Sequence, residues 1–350
     1  MLVAALGCAG QARGAEDDVG VAVEALRTAE FSFDVKLRET GSSTISAVEY
    51  TDRRRPRGQT LLAIPGLIET GPTYEPLARA VFEDRQLRRQ VGRIIAISLP
   101  GRGESPFPTG LPAGTQFGTL LIDDNASVIV QAIAALRERG TPAQIIVGHS
   151  MGGLAITAAQ ALLQSKDSSL RALGIERAVL IAPVPPHAQP WTPPPPSDLS
   201  QFVVQDPVQG AYLALSDEAW IGQGYTTRAG KLVSNAPTPA QVKERGYNGF
   251  EPLLTLSQLL ETPFTLPDGS MQTIARPSVP AGAFAAERGT QLSVLSFSED
   301  ILVQPTDLEP LYVHLTGDAG KSGYHAVVAD DAVHSMFVSN PEGLLDAALD

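Results

Sequence analysis

The chain has 350 residues, of which 43% are hydrophobic and 18% charged, so it can bury a large core and cannot be disordered throughout. Its formal net charge is −12, which argues against a nucleic-acid partner because phosphate binding needs a concentrated basic face. No apolar run approaches the ~18 residues that a membrane-spanning helix needs, and we expect a chain that is soluble or at most anchored.

The N-terminal segment, residues 1–15, resembles the end of an export signal. It begins with small apolar residues and ends in Ala-Arg-Gly-Ala before an acidic run, which is typical of a secretory signal cleaved near Ala15. Leu6-Gly7-Cys8 also resembles the end of a bacterial lipoprotein signal, which would anchor the protein to a membrane through Cys8. The pattern favours export, to the periplasm, the medium or a lipid anchor, over a cytoplasmic protein with an uninformative N-terminus.

Residues 30–183 alternate strand-like and helix-like patterns, which predicts the first part of a core domain. Two runs that alternate apolar and polar residues, 31–39 and 44–51, predict a hairpin that turns at residues 40–43. Short all-apolar runs predict buried strands, and apolar residues at helical spacing predict helices. The predicted strands are 60–64, 93–99, 144–147 and 178–182, and the predicted helices are 74–87, 121–139 and 151–164. Strands alternating with helices in this order predict an α/β fold with a parallel sheet covered on both faces.

The α/β pattern breaks at Pro183. Eight of the fourteen residues from 183 to 196 are proline, which no sheet or helix interior tolerates. The pattern resumes near residue 291, with predicted strands at 291–297 and 324–329 and predicted helices at 306–315 and 341–350. We therefore predict that residues 184–290 form a cap or lid, inserted before the second part of the core at 291–350.

One motif is typical of a catalytic nucleophile. Residues 148–152 match G-x-S-x-G, Gly153 extends the match, and the motif lies between a predicted strand and a predicted helix. A nucleophile on a sharp strand-to-helix turn has a strained backbone, so its neighbours must lack side chains. Such a turn exposes the Ser150 hydroxyl and places the Met151 N–H at the positive end of a helix, where it can stabilise an oxyanion.

At this point the sequence resembles the α/β-hydrolases. Gly-His-Ser-Met-Gly-Gly at 148–153 is similar to the nucleophile elbow of monoacylglycerol lipases and related serine esterases. Residues 98–105, Ser-Leu-Pro-Gly-Arg-Gly-Glu-Ser, resemble the D-x-P-G-x-G-x-S loop after the family's fourth strand, with Ser98 replacing the usual acid. The resemblance covers roughly residues 45–183 and 291–350. It implies an α/β-hydrolase fold, with a mostly parallel sheet flanked by helices, and an esterase or lipase activity.

A serine nucleophile needs a base, and five histidines could supply one. His149 adjoins the serine in sequence, His187 lies in the proline-rich stretch, His314 lies within a predicted helix and His325 within a predicted strand. His334 follows the last predicted strand in a loop, which is where the resemblance places the catalytic histidine. We therefore expect His334 to be the base.

The imidazole in turn needs a carboxylate partner. Asp300 follows the predicted strand 291–297 and precedes apolar residues and a proline, which resembles the acid turn of the family. The chain order serine, aspartate, histidine is also that of α/β-hydrolases. Glu299 is a close rival, and Asp330 and Asp331 are more distant ones, since adjacent acids cannot be separated from sequence alone.

The second oxyanion donor is expected in the loop after strand 60–64. This loop reads Pro65-Gly66-Leu67, where the family usually has His-Gly-x, and the Leu67 N–H is the candidate. Pro65 removes a side-chain hydrogen bond with which family members brace this loop. We expect neither a metal nor a cofactor, because the histidines are scattered, the chain has one cysteine, and no phosphate-binding glycine motif occurs.

These residues imply a serine hydrolase that cleaves a carboxylic ester through an acyl-enzyme, with a small-molecule or lipid-like ester as its partner. On the same fold, C–C-bond hydrolases and cofactor-free perhydrolases also carry Ser-Met-Gly-Gly, so both stay open. A non-catalytic, hydrolase-like surface binding protein is a third alternative, against which the complete set of serine, aspartate and histidine argues. Large apolar residues within 184–290 predict a preference for medium-length or bulky apolar ester groups. The oligomeric state stays open.

Overall fold

The computed structural model describes residues 26–52, 58–84, 86–191, 200–244, 249–265, 271–342 and 344. The predicted export segment with Cys8 and most of the predicted last helix, 341–350, lie outside these residues. Within the described part of the chain, no helix is both long enough and apolar enough to cross a membrane.

Strands and helices alternate along the chain in two stretches that flank a more irregular segment. The strands are β1 (Leu26–Leu37), β2 (Gly41–Asp52), β3 (Gln59–Ile64), β4 (Val91–Ile97), β5 (Ile145–His149), β6 (Arg177–Ile181), β7 (Val203–Asp206), β8 (Gly210–Leu213), β9 (Glu251–Pro252), β10 (Phe264–Thr265), β11 (Met271–Gln272), β12 (Gln291–Phe297) and β13 (Tyr324–Val327). The α-helices are α1 (Glu75–Glu83), α2 (Leu87–Gln90), α3 (Ile122–Glu138), α4 (Met151–Gln164), α5 (Asp217–Gly224), α6 (Pro239–Glu244), α7 (Leu253–Leu260), α8 (Pro305–Thr316) and α9 (Met336–Ser339).

Eight strands form one sheet in the order β1-β2-β4-β3-β5-β6-β12-β13. The strands from β4 to β13 pair in parallel, and β1 and β2 add an antiparallel hairpin at one edge. In a parallel sheet all carboxyl ends lie at one edge, so the loops after β3, β5, β12 and β13 meet there. The predicted α/β-hydrolase fold, a mostly parallel sheet with flanking helices, is confirmed.

The sheet is buried on both faces, and each of its central strands β3, β4, β5 and β6 contains a run of three or four apolar residues. In β3, Leu62 and Ile64 face a hydrophobic cluster that contains α3, α4 and α8, whereas Leu61 and Ala63 face a second cluster with α1 and α9. Side chains of a strand alternate between the two faces, so an all-apolar strand must have packing partners on both. This explains why the predicted strands read as apolar runs rather than as alternating patterns.

Residues 184–290, which we call the cap segment, connect β6 to β12 and contain β7 to β11 and α5 to α7. Part of this segment packs on the loop that follows β4. Phe107 of that loop lies 5.4 Å from the ring of Tyr212 and 5.3 Å from the ring of Phe250, both in the cap segment. The Thr255 hydroxyl also donates to the Leu120 carbonyl at 2.7 Å.

Two local predictions were wrong. The hairpin turns at residues 38–40 rather than 40–43, and Arg38 takes a positive φ of 54° there while its guanidinium pairs with Asp124 at 3.0 Å. The helix predicted over 74–87 is divided into α1 and α2. Asp84 divides it, because its carboxylate accepts the N–H groups of residues 86 and 87 at 2.8 and 2.7 Å and so begins a new turn.

Candidate active site

Ser150 occupies the turn between β5 and α4 in a strained conformation. Its φ is 51° and its ψ is −120°, a region that residues with a side chain rarely adopt. The Ser150 N–H donates to the Ile181 carbonyl at 2.9 Å, which ties the turn to the neighbouring strand. The residue is 9% exposed and borders a cavity, so the strained turn presents its hydroxyl at the carboxyl edge of the sheet.

The glycines around Ser150 are required by close backbone contacts. A Cβ on Gly148 would lie 2.7 Å from the Gly152 carbonyl carbon. A Cβ on Gly152 would lie 2.5 Å from the carbonyl oxygens of both Ile64 and Pro65. The first turn of α4 therefore rests directly against the loop after β3, and only glycine allows that approach.

The structure brings Asp300 and His334 together. The Asp300 Oδ2 lies 2.7 Å from the His334 Nδ1, and both side chains are buried. The Oδ1 of the same carboxylate accepts the N–H groups of Leu302 and Val303 at 2.7 and 2.9 Å. These contacts orient the imidazole through its Nδ1 and leave its Nε2 to other partners. His334 lines the same cavity as Ser150.

The rival acids make other contacts. The Glu299 Oε2 accepts the N–H of Arg228 at 3.2 Å, and the Asp331 Oδ2 accepts the side-chain amide of Asn340 at 2.7 Å. Asp330 is exposed. Of the four acids, Asp300 is the one whose carboxylate contacts His334.

The other histidines contact groups away from the serine hydroxyl. His187 lies 2.7 Å from Glu261, and the Nε2 of His314, a residue of helix α8, lies 2.9 Å from the Val279 carbonyl oxygen. His325 lies within β13, where burial lowers its pKa. His149 is buried in the elbow, and its ring lies 4.6 Å from that of His334.

The loop after β3 presents the Leu67 amide between two amides that are already paired. The Gly66 N–H donates to the Glu69 Oε2 at 2.6 Å, and the Ile68 N–H donates to the Glu251 Oε2 at 3.1 Å. Within the part of the chain that the structure describes, the Leu67 N–H has no acceptor, and Leu67 lines the cavity. The Met151 N–H, in the first residue of α4, likewise has no acceptor among the described residues.

A model of the alpha/beta hydrolase family matches residues 61–347. The chain belongs to the alpha/beta hydrolase family. No curated protein is similar enough in sequence to count as a match. Among solved structures, the peroxisomal alpha-beta-hydrolase Lpx1 from Saccharomyces cerevisiae is similar, with a TM-score of 0.51, 14% identity, and coverage of 93% of this chain and 88% of that one. A putative aryl esterase from Burkholderia cenocepacia has a TM-score of 0.51 and 16% identity, covering 91% of this chain and 97% of its own. At these identities the likeness shows the shared fold.

The cavity of this alpha/beta hydrolase has a volume of about 500 Å³. The core and the cap segment both contribute apolar walls: Leu67, Ile68, Ile301, Leu302 and Val303 from the core, and Val184, Trp191, Trp220, Leu256, Leu259 and Leu260 from the cap segment. Such a cavity suits an apolar group of several carbons bound next to the Ser150 hydroxyl. No group of three or more His, Cys, Asp or Glu side chains among the described residues is arranged to hold a metal ion.

Sequence reasoning missed the contacts that brace the loop after β3. Pro65 offers no side chain with which to brace this loop, and the Glu69 carboxylate instead holds the Gly66 N–H and lies 2.9 Å from the His149 Nδ1. Burial alone would lower the pKa of His149, yet the charge and hydrogen bond of Glu69, helped by the His334 carbonyl and the Asp300 charge, raise it overall. The available signal was Glu69, an acid three residues after Gly66, but its partner His149 lies 80 residues further along the chain.

Proposed function

We propose that this alpha/beta hydrolase cleaves carboxylic esters with Ser150 as nucleophile, His334 as base and Asp300 as its acid. The observation that carries the proposal is the contact of Asp300 with His334 in a cavity that Ser150 also lines, with Ser150 held at a strained elbow. Acyl transfer requires a nucleophile, a base that takes its proton and a carboxylate that orients the base, and this arrangement supports those three roles for Ser150, His334 and Asp300.

The reaction proceeds in two halves. The Ser150 Oγ attacks the ester carbonyl carbon while the His334 Nε2 takes the hydroxyl proton, and the Asp300 carboxylate stabilises the imidazolium. The amides of Leu67 and Met151 donate to the oxyanion of the tetrahedral intermediate. His334 returns its proton to the leaving alcohol, and water, activated by the same base, then releases the acid and restores Ser150.

The preferred substrates are esters with a medium-length or bulky apolar group, including lipid-like esters. The apolar walls of the cavity support this, because each buried methylene contributes about 0.8 kcal/mol of transfer free energy. A likeness to monoacylglycerol lipases at the elbow points to the same substrate class.

A Ser150→Ala variant tests the nucleophile. The wild type should hydrolyse p-nitrophenyl esters and take up one fluorophosphonate group on the peptide that contains Ser150. Ser150→Ala should lose ester turnover by roughly 10³-fold or more and should lose the label, with an unchanged circular dichroism spectrum.

Ser335→Ala is the matched control, since Ser335 also lines the cavity but lies outside the elbow. It should keep the label on Ser150. A folded Ser150→Ala protein that still hydrolyses esters, or a wild type that is labelled elsewhere, would refute the proposed nucleophile.

A further inference from the structure

Glu69 and His149 form a buried chain of contacts between two loops of the candidate site. The Glu69 Oε2 accepts the Gly66 N–H at 2.6 Å, and its Oε1 lies 2.9 Å from the His149 Nδ1. The His149 Nε2 lies 2.9 Å from the backbone carbonyl oxygen of His334. One carboxylate and one imidazole therefore join the loop that carries the Leu67 amide to the loop that carries His334.

These contacts specify where the protons are. A carbonyl oxygen can only accept, so the His149 Nε2 must carry a hydrogen to bond the His334 carbonyl. The Nδ1 then faces a carboxylate, and two lone pairs would repel each other there. A second proton must lie between Nδ1 and Glu69, either as an imidazolium beside a carboxylate or as a neutral imidazole beside a carboxylic acid.

The groups around the pair favour keeping that proton. Burial acts against a charged His149, but the charge and hydrogen bond of Glu69, the His334 carbonyl and the Asp300 charge together raise the pKa of His149 above its usual value. Tyr74 also faces the pair, and burial followed by the Glu69 charge raises its pKa well above the usual value. Its hydroxyl donates to the Ile64 carbonyl at 2.7 Å, so it adds no charge beside Glu69.

We propose that Glu69 and His149 are positioning residues that hold the Leu67 amide and His334 in register for ester hydrolysis, and that they do so only while the pair retains its shared proton. This inference rests on the proposed function. The two loops meet the same tetrahedral intermediate, one at its oxyanion and the other at its proton transfers. Misplacement of either loop should therefore raise the barrier of the chemical step while substrate binding stays nearly unchanged.

Two substitutions at one position separate geometry from charge. Glu69→Leu removes the acceptor for Gly66 and the partner of His149, and we expect kcat to fall roughly 10- to 100-fold with KM within about twofold. Glu69→Gln can accept the Gly66 N–H through its oxygen and donate to a neutral His149 through its amide. It should recover most of the kcat that Glu69→Leu loses.

The pH profile distinguishes positioning from simple packing. In the wild type, loss of the shared proton at alkaline pH leaves the Nδ1 lone pair against the Glu69 carboxylate, and kcat should fall reversibly. In Glu69→Gln there is no such proton to lose, so the alkaline fall should be absent or shifted upward by at least about one pH unit. Glu83→Gln, at an exposed position of α1, is the matched control and should keep the wild-type profile.

The experiment measures kcat and KM for a p-nitrophenyl ester between pH 6 and 10, with the fold checked by circular dichroism at each pH. An alkaline fall of kcat in Glu69→Gln equal to that of Glu83→Gln overturns the inference, as does a folded Glu69→Leu with wild-type kcat. If Glu69→Leu does not fold, the profile of Glu69→Gln decides. A wild type without esterase activity, or an active Ser150→Ala, would instead refute the proposed function.

Discussion

Arg102 and Glu251 form a buried ion pair that joins the core to the cap segment. The two side chains are 1% and 0% exposed, and the Arg102 Nε donates to the Glu251 Oε2 at 3.0 Å. The same carboxylate oxygen accepts the Ile68 N–H at 3.1 Å. A Cβ on Gly249 would lie 2.0 Å from the Ile68 carbonyl oxygen, so the cap segment packs directly on the loop after β3. The position of that loop therefore depends on the cap segment.

The first prediction concerns this ion pair. Arg102→Met leaves Glu251 buried and unpaired, and should lower the free energy of unfolding by about 3–5 kcal/mol. Adding Glu251→Leu should recover most of that loss, because an apolar pair of similar size avoids the desolvation of two charges. Since the double variant still lacks the acceptor for Ile68, kcat should stay below that of the wild type. Urea denaturation and ester kinetics check the two parts.

The surface pair Arg79 and Glu75 is the control for this experiment. Its side chains are 49% and 31% exposed, so Arg79→Met should lower the free energy of unfolding by less than about 1 kcal/mol. Equal costs for Arg79→Met and Arg102→Met would contradict the first prediction.

The second prediction concerns Asp300, the proposed partner of the base. Asp300→Asn keeps the size of the side chain but cannot stabilise an imidazolium at His334, and should lower kcat by roughly 10²- to 10⁴-fold. Glu299→Gln, its neighbour in sequence, should change kcat by less than about threefold, because Glu299 contacts the backbone of Arg228 instead. A larger loss of kcat in Glu299→Gln than in Asp300→Asn, measured by steady-state kinetics, would identify Glu299 as the acid instead.

The third prediction concerns His334, the proposed base. His334→Ala should lower ester turnover about as much as Ser150→Ala, since residues that act as a unit are not additive. His325→Ala removes a half-buried strand histidine and should leave kcat near that of the wild type. A double variant Ser150→Ala/His334→Ala that is much less active than either single variant would show that the two residues act separately.

The fourth prediction concerns Gly152. A methyl group there would meet the carbonyl oxygens of Ile64 and Pro65 at 2.5 Å, so Gly152→Ala should lower the free energy of unfolding by about 1–3 kcal/mol and also lower kcat. Gly222→Ala is the stability control, because Gly222 lies within helix α5 and a Cβ there would meet open space. It should raise the free energy of unfolding by up to about 1 kcal/mol. Thermal denaturation of both variants checks the difference, and a neutral Gly152→Ala would contradict it.

The fifth prediction concerns the ester group. Each additional methylene that enters the apolar cavity should raise kcat/KM by about fourfold, the equivalent of about 0.8 kcal/mol, until the cavity is full. Kinetics with acyl chains from two to twelve carbons should therefore pass through a maximum at medium length. A steady fall from the acetyl ester onward would mean that the apolar walls do not bind the acyl group.

The sequence by itself determined the fold class and the position of the elbow. The strands β3, β4, β5 and β6 each contain a run of three or four apolar residues, and such runs between turn signals are typical of strands buried on both faces of a parallel sheet. The need for glycines around Ser150 can likewise be predicted from the local sequence, because a strand-to-helix turn brings backbone segments too close together for side chains. These features depend on residues that are neighbours in the chain.

Only the tertiary structure decided which distant groups meet. Glu299 and Asp300 are adjacent in sequence, and the turn after β12 directs one carboxylate to the Arg228 backbone and the other to His334. Glu69 reaches His149 across 80 residues, and Arg102 reaches Glu251 across 149. A side-chain contact of this kind leaves no periodic pattern in sequence, because it arises where parallel strands bring their following loops to one edge of the sheet.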